Sequence, residues 1–168
     1  EVAETGRVLR EAGLTVRSFY MGGGTPTTLT AEQMDRLLSE CERRLPLEGC
    51  AEYTVEAGRP DTITREKLEV LARHGIGRVS INPQTLEGHV LEAIGRRHTA
   101  EDIRTAYRLA REVGFSSINM DLIAGLPQDS FDGFRRSLEG VLAMEPENVT
   151  VHTLALKKGS RLSERSEE

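Results

Sequence analysis

The chain has 168 residues, a net charge of −5 and 38% apolar residues, with 16 glycines, a normal globular balance and enough length for one domain with a core. No apolar run approaches the roughly 18 residues of a membrane span, and the acidic balance disfavours a nucleic-acid scaffold, which needs a basic patch. Two cysteines, Cys41 and Cys50, make neither a disulfide framework nor a zinc or iron–sulfur ligand set. The chain opens on Glu1, Val2 and Ala3 without a signal peptide or an initial Met, so a piece of something longer is expected.

In chain order, residues 2–12 read as the tail of a helix and 16–21 as a strand. The run Gly22-Gly23-Gly24-Thr25-Pro26-Thr27 follows that strand directly. Thr30 opens a helix through a capping box with Gln33, and Met34, Leu37, Leu38, Cys41 and Leu45 fall at helical spacing. A strand is expected over 51–56. Thr64 starts a helix with Leu68, Leu71 and Ala72 on one face and Gly75 as its stop. A strand over 78–82 and a short helix over 86–94 come next. Thr99 and Asp102 open a helix carrying Ile103, Ala106, Tyr107, Ala110 and Val113, closed by Gly114. A strand over 117–123, a helix from about Phe131 to Leu142, and a strand over 149–154 complete the pattern. Residues 1–156 form the expected core, and 157–168 read as a frayed polar tail leading to a further region.

Strand and helix alternate at intervals that suit βα units and a parallel sheet. Side chains alternate across a strand with period 2. One face carries Val55, Val79, Ile81, Ile118, Met120, Leu122, Val149 and Val151, which suits packing under helices. The other carries Thr54, Glu56, Ser80, Asn82, Asn119, Asp121, Thr150 and His152. A doubly wound sheet is covered on both faces and reads as nearly continuous apolar strands. One polar face instead favours an α/β partial parallel barrel with a site in its mouth.

Three successive glycines let a backbone approach a ligand closely. The run is not a P-loop, because no Gly-Lys-Ser/Thr follows, nor a dinucleotide fingerprint, because its glycines are contiguous. A plain strand-to-helix turn remains the alternative. Glu56, Gln84 and Asp121 are expected at or just beyond three strand ends, where polar groups converge on a small-molecule site. Ordinary interior polar groups with local partners are the competing reading. Arg96 and Arg97 follow a short helix. An arginine fork suits a carboxylate, while a solvated basic turn is the plainer account. His74, His89, His98 and His152 show no metal-ligand spacing. Cys41 reads as core.

Together, "FYMGGGTPTTL", "YTVEAGRPDTIT", "RVSINPQTL", "IGRRHTAEDI", "INMDLIAGLPQDS" and "VHTLALKKGSRL" resemble the radical S-adenosylmethionine (SAM) superfamily over nearly the whole chain. Their order is that of its oxygen-independent coproporphyrinogen III oxidase branch, and the wording is most similar to the HemZ-type dehydrogenases. The resemblance implies a TIM-like (β/α)6 partial barrel with about five βα units present and the first strand missing, which leaves the edge of the 16–21 strand open to association. It implies that Gly22, Gly23, Gly24 and Thr25 hold the methionine part of SAM, with backbone carbonyls meeting its ammonium. Glu56 would face SAM, Gln84 and Asp121 would bind the ribose hydroxyls, Arg96 would pair with the carboxylate, and Ala155 would lie against the adenine.

The implied reaction begins with a [4Fe–4S] cluster, which binds SAM and cleaves it reductively. The deoxyadenosyl radical takes hydrogen from a propionate of coproporphyrinogen III, and loss of CO₂ leaves a vinyl group. Two rounds give protoporphyrinogen IX. The implied setting is heme biosynthesis in the cytoplasm, with a porphyrinogen substrate, a flavodoxin or ferredoxin as electron donor, no nucleic acid or membrane partner, and a monomer at full length. The family ligates its cluster through C-x₃-C-x₂-C, which this sequence lacks, so the chain alone is expected to be inactive. Three other readings compete. One is a heme chaperone of the same superfamily, one another radical SAM enzyme, and one a βα-repeat domain whose glycine run is only a turn.

Overall fold

Four helices begin on side-chain caps that the sequence supplies. Thr30 accepts from the Gln33 amide and Thr99 from the Asp102 amide, each within a complete capping box. Thr64 and Ser130 cap the amides of Lys67 and Gly133. These side chains satisfy N–H groups that the first turn leaves orphaned. At the other end, Gly114 closes its helix at φ 106°, a left-handed turn that glycine adopts without strain.

In the computed structural model, residues 1–155 are described. The elements run α1 (Val2–Glu11), β1 (Ser18–Met21), α2 (Ala31–Arg44), β2 (Glu52–Ala57), α3 (Arg65–Arg73), β3 (Arg78–Gln84), α4 (Gly88–Ala93), α5 (Ala100–Val113), β4 (Ser117–Ala124), α6 (Phe131–Leu142) and β5 (Asn148–Thr153). Short 3₁₀ turns, Pro26–Thr28 and Pro60–Thr62, follow β1 and β2. The expected tail at 157–168 lies outside the described residues.

The five strands form one sheet in the order β1-β2-β3-β4-β5, parallel throughout. This is the expected α/β partial barrel, and its sheet is not closed. Register places Val55, Val79 and Ile118 in one row and Ala57, Ile81, Met120 and Val149 in the next. These rows meet Met34, Leu38, Leu68, Leu71, Ile103, Ala106 and Val141 from the helices. Each fully buried side chain of this size contributes about 1.5–3 kcal/mol, so one face of the sheet carries the core. Cys41 belongs to it, 4% exposed.

Three expectations need correction. Val151, placed under helices by its parity, is 48% exposed, because β5 is an edge strand and nothing among the described residues covers its end. The first strand is shorter than expected and starts at Ser18; Val16 instead donates its amide to the Pro46 carbonyl. The short helix covers only Gly88–Ala93. The residues before it are held by side chains: Ser137 Oγ accepts from the Leu86 amide and Thr85 Oγ1 from the Glu87 amide.

Candidate functional site

Between the rows that carry the core, alternate residues face the opposite way and are polar. Glu56, Ser80 and Asn119 share one row, and Asp121 and Thr150 the next. They bond to one another across four strands. Thr150 Oγ1 donates to Asn119 Oδ1 at 3.0 Å. Asn119 Nδ2 donates to Ser80 Oγ at 2.8 Å and to Asp121 Oδ1 at 2.6 Å. Ser80 Oγ donates to Asn82 Oδ1 at 2.9 Å, and Asn82 Nδ2 to Glu56 Oε1 at 2.9 Å. Every donor leads toward a carboxylate, so the network fixes one oxygen of Glu56 and one of Asp121. Buried polar groups must be paired, and here they pair laterally, which sets the two acids on the open face.

Gly22 lies beside Glu56. A methyl group there would overlap the Tyr20 ring and sit 2.9 Å from Glu56 Oε2, so glycine makes room for that carboxylate. Gly23 takes φ 97°. Thr25 Oγ1 donates to the Gly24 carbonyl, and the Thr25 carbonyl accepts from the Thr28 amide and hydroxyl. Partial burial raises the Tyr20 phenol, with the Glu56 and Asp121 carboxylates adding to it; all three belong to one face.

Gln84 ends β3 after a register shift between Ile81 and Gln84. It takes φ 67°, a left-handed conformation that costs a non-glycine residue about 1–3 kcal/mol. The residue is 7% exposed, and its Oε1 is buried with no hydrogen-bond partner among the described residues. A buried orphan acceptor on strained backbone is an unfinished pairing.

Arg96 follows α4, half-buried. Burial and the Arg59 guanidinium push its ionisation down, while Asp61 and Glu56 push it up. Among the described residues it makes no ion pair within 4 Å, and neither does Arg59. His98 is 3% exposed. Its Nε2 has no partner among the described residues, and burial holds the ring below the usual histidine range against the pull of the Pro83 carbonyl.

The sheet therefore brings Glu56, Asp121 and the glycine run to one face, and the charges around Arg96 tie it to Glu56. Asp121 lies inside β4, three residues before its end, rather than at the rim. Ala155 is exposed in the coil after β5, with no contact that joins it to the others. Sequence reasoning put Ser80, Asn82, Asn119 and Thr150 on the polar face but missed that they bond to the acids. It gave Arg59 and Asp61 no place in the site, and weighed His98 only as a metal ligand. The "EAGRPD" segment was the available signal for the first two. Two cavities of about 240 and 220 Å³ lie elsewhere, between α2 and α3 and beside the start of α6. Among the described residues no three metal-ligating side chains gather. Cys41 is buried in α2, and Cys50 Sγ donates to the Glu52 carbonyl.

Residues 1–139 match the family model of the radical SAM superfamily. The chain belongs to that superfamily. It is 49% identical to the oxygen-independent coproporphyrinogen-III oxidase-like protein HemZ of Bacillus subtilis (strain 168), over 97% of this chain and 33% of that protein. It is 37% identical to the heme chaperone HemW of the same organism, over 84% of this chain and 38% of HemW. Coproporphyrinogen III oxidase HemN from Escherichia coli, a radical SAM enzyme, superposes with a TM-score of 0.84 at 30% identity over 98% of this chain and 38% of its own. The chain thus spans about a third of the length of these relatives.

Radical SAM proteins use SAM and a [4Fe–4S] cluster. The Gln84 oxygen and Arg96, both without partners among the described residues, and the space kept by Gly22 fit a ligand with hydroxyls, a carboxylate and an ammonium, as SAM has. Two separate cysteines do not fit a cluster, and this chain's residues supply no step through one.

Proposed function

We propose that this chain is the SAM-binding core of an oxygen-independent coproporphyrinogen III oxidase of the HemZ type, which converts two propionates of the porphyrinogen to vinyl groups. The observation that carries this reading is the 49% identity with HemZ across 97% of the chain, against 37% with HemW. SAM supplies the hydrogen-abstracting group of that chemistry when bound. The chain's own residues bind and orient it. The Gly22 and Gly23 carbonyls take its ammonium, since the Gly24 and Thr25 carbonyls already have donors. Arg96, paired with no carboxylate among the described residues, takes the ligand carboxylate as a fork. Gln84 Oε1 and Asp121 take the ribose hydroxyls as acceptors, Glu56 takes a further donor, and Ala155 lies at the adenine. The Asn119 network holds both acids in place before the ligand arrives, which reduces the ordering cost of binding.

The full-length protein tests the reading. Supplied with SAM, a reductant and coproporphyrinogen III anaerobically, it releases CO₂ and forms vinyl groups. Stoichiometric heme binding without decarboxylation overturns the oxidase reading in favour of the chaperone. With its two cysteines, the 168-residue chain alone assembles no stoichiometric cluster and is inactive. About four protein-ligated irons per chain contradict that.

A further inference from the structure

The turn that follows the glycine run is held by groups from the segment after β2. Lys67 sits in the first turn of α3, its amide on the Thr64 cap. Its ammonium donates to the Thr27 carbonyl at 2.6 Å and to the Thr62 carbonyl at 3.0 Å. Thr27 is 1% exposed, and its hydroxyl lies 2.6 Å from that of Thr62. Thr62 Oγ1 spends its only proton on the Arg59 carbonyl, so Thr27 is the donor between the two hydroxyls.

These bonds join two 3₁₀ turns. Pro26–Thr28 follows the glycines after Thr25, and Pro60–Thr62 follows Arg59. Lys67 makes no ion pair within 4 Å among the described residues. A partly buried ammonium with only carbonyl partners gains less than a salt-bridged one would. What it does achieve is to fix two loops at the same end of the sheet. We propose that Lys67 is a positioning residue that, through the Pro26–Thr28 turn, holds the Gly22 and Gly23 carbonyls in their ligand-binding arrangement. The proposal rests on the reading of that loop as the SAM site.

The test uses the full-length protein with its cluster assembled, and SAM affinity measured by calorimetry. Lys67→Met weakens SAM about tenfold, and Lys67→Arg, which can still donate to two carbonyls, recovers most of that loss. Thr62→Val, which removes the hydroxyl link, weakens binding in the same direction and serves if Lys67→Met does not fold. Tyr107→Phe is the control. It deletes the bond to the Glu145 carbonyl and the two that the hydroxyl accepts from Arg111, midway along α5 and away from the glycine run, so it lowers Tm and leaves SAM affinity unchanged. Amide exchange over residues 22–29 rises in Lys67→Met without ligand. Wild-type affinity in both Lys67→Met and Thr62→Val overturns the positioning role and spares the SAM reading. So does an equal loss in the Tyr107 control. A wild-type protein that binds no SAM overturns both.

Discussion

Replacing Gly22 by alanine separates the site from the fold. Gly22 has no positive φ, so the new residue meets no backbone strain. Its methyl group overlaps the Tyr20 ring, but Tyr20 is 58% exposed and can swing into solvent. Overpacking a closed core costs about 1–3 kcal/mol; here the outlet to solvent keeps the stability loss below about 1 kcal/mol. Glu56 is less free. Its Oε2 would lie 2.9 Å from the methyl carbon while Asn82 holds Oε1. The carboxylate must turn by a few tenths of an ångström, out of line with any donor on the open face. A hydrogen bond to a charged group contributes about 1.5–3 kcal/mol, or about 10- to 150-fold in affinity. Thermal melts and SAM titration of the full-length Gly22→Ala protein read the two quantities separately. The expected outcome is a nearly unchanged melt with that loss of affinity. Unchanged affinity, or a loss no larger than the fall in stability explains, refutes the reasoning.

Other substitutions probe other parts of the account. Asn119→Ala deletes three hydrogen bonds, each contributing about 1 kcal/mol; urea denaturation should show a loss of about 2–3 kcal/mol, with water replacing part of the network. Gly6→Ala would add about 1 kcal/mol in a free helix, but its methyl overlaps the Arg44 backbone carbonyl, which cannot swing aside. A net loss is expected, and a gain would show that Gly6 of α1 does not lie against the end of α2 at Arg44. The depressed ionisation of His98 means that the unfolded chain takes up a proton first as pH falls. Stability should therefore decline from about pH 6.5, the unfolded value, down to the lower folded value. His98→Gln should flatten that part of a urea-midpoint profile between pH 7.5 and 5.

Much of the fold was legible because its signals are local. Thr30 with Gln33, Thr99 with Asp102, and Gly114 act within one turn of chain, and all three mark helix ends in the structure. The polar face was legible because parity along one strand assigns Glu56, Ser80, Asn119 and Asp121 to the same side. What those residues do to one another depends on register between strands, which no single strand encodes. Asp121 was placed at a rim although the expected strand over 117–123 already contained it, and β4 runs on to Ala124. Gln84 was found as a polar residue, but the register shift that strands its Oε1 is a property of the β3–β4 pair. Arg59 and Asp61 were missed because their nearness to Arg96 arises from how the turn after β2 packs beside α5. Val151 shows the limit of parity, which gives direction but not cover.

The central claim is that the polar face and the glycine run hold SAM. A crystal structure of the full-length holoprotein with SAM tests it most directly. The account predicts the ligand carboxylate at Arg96, the ammonium at the Gly22 and Gly23 carbonyls, and the ribose between Gln84 and Asp121. SAM bound instead in the cavity between α2 and α3, or away from Glu56 and Asp121, would contradict it.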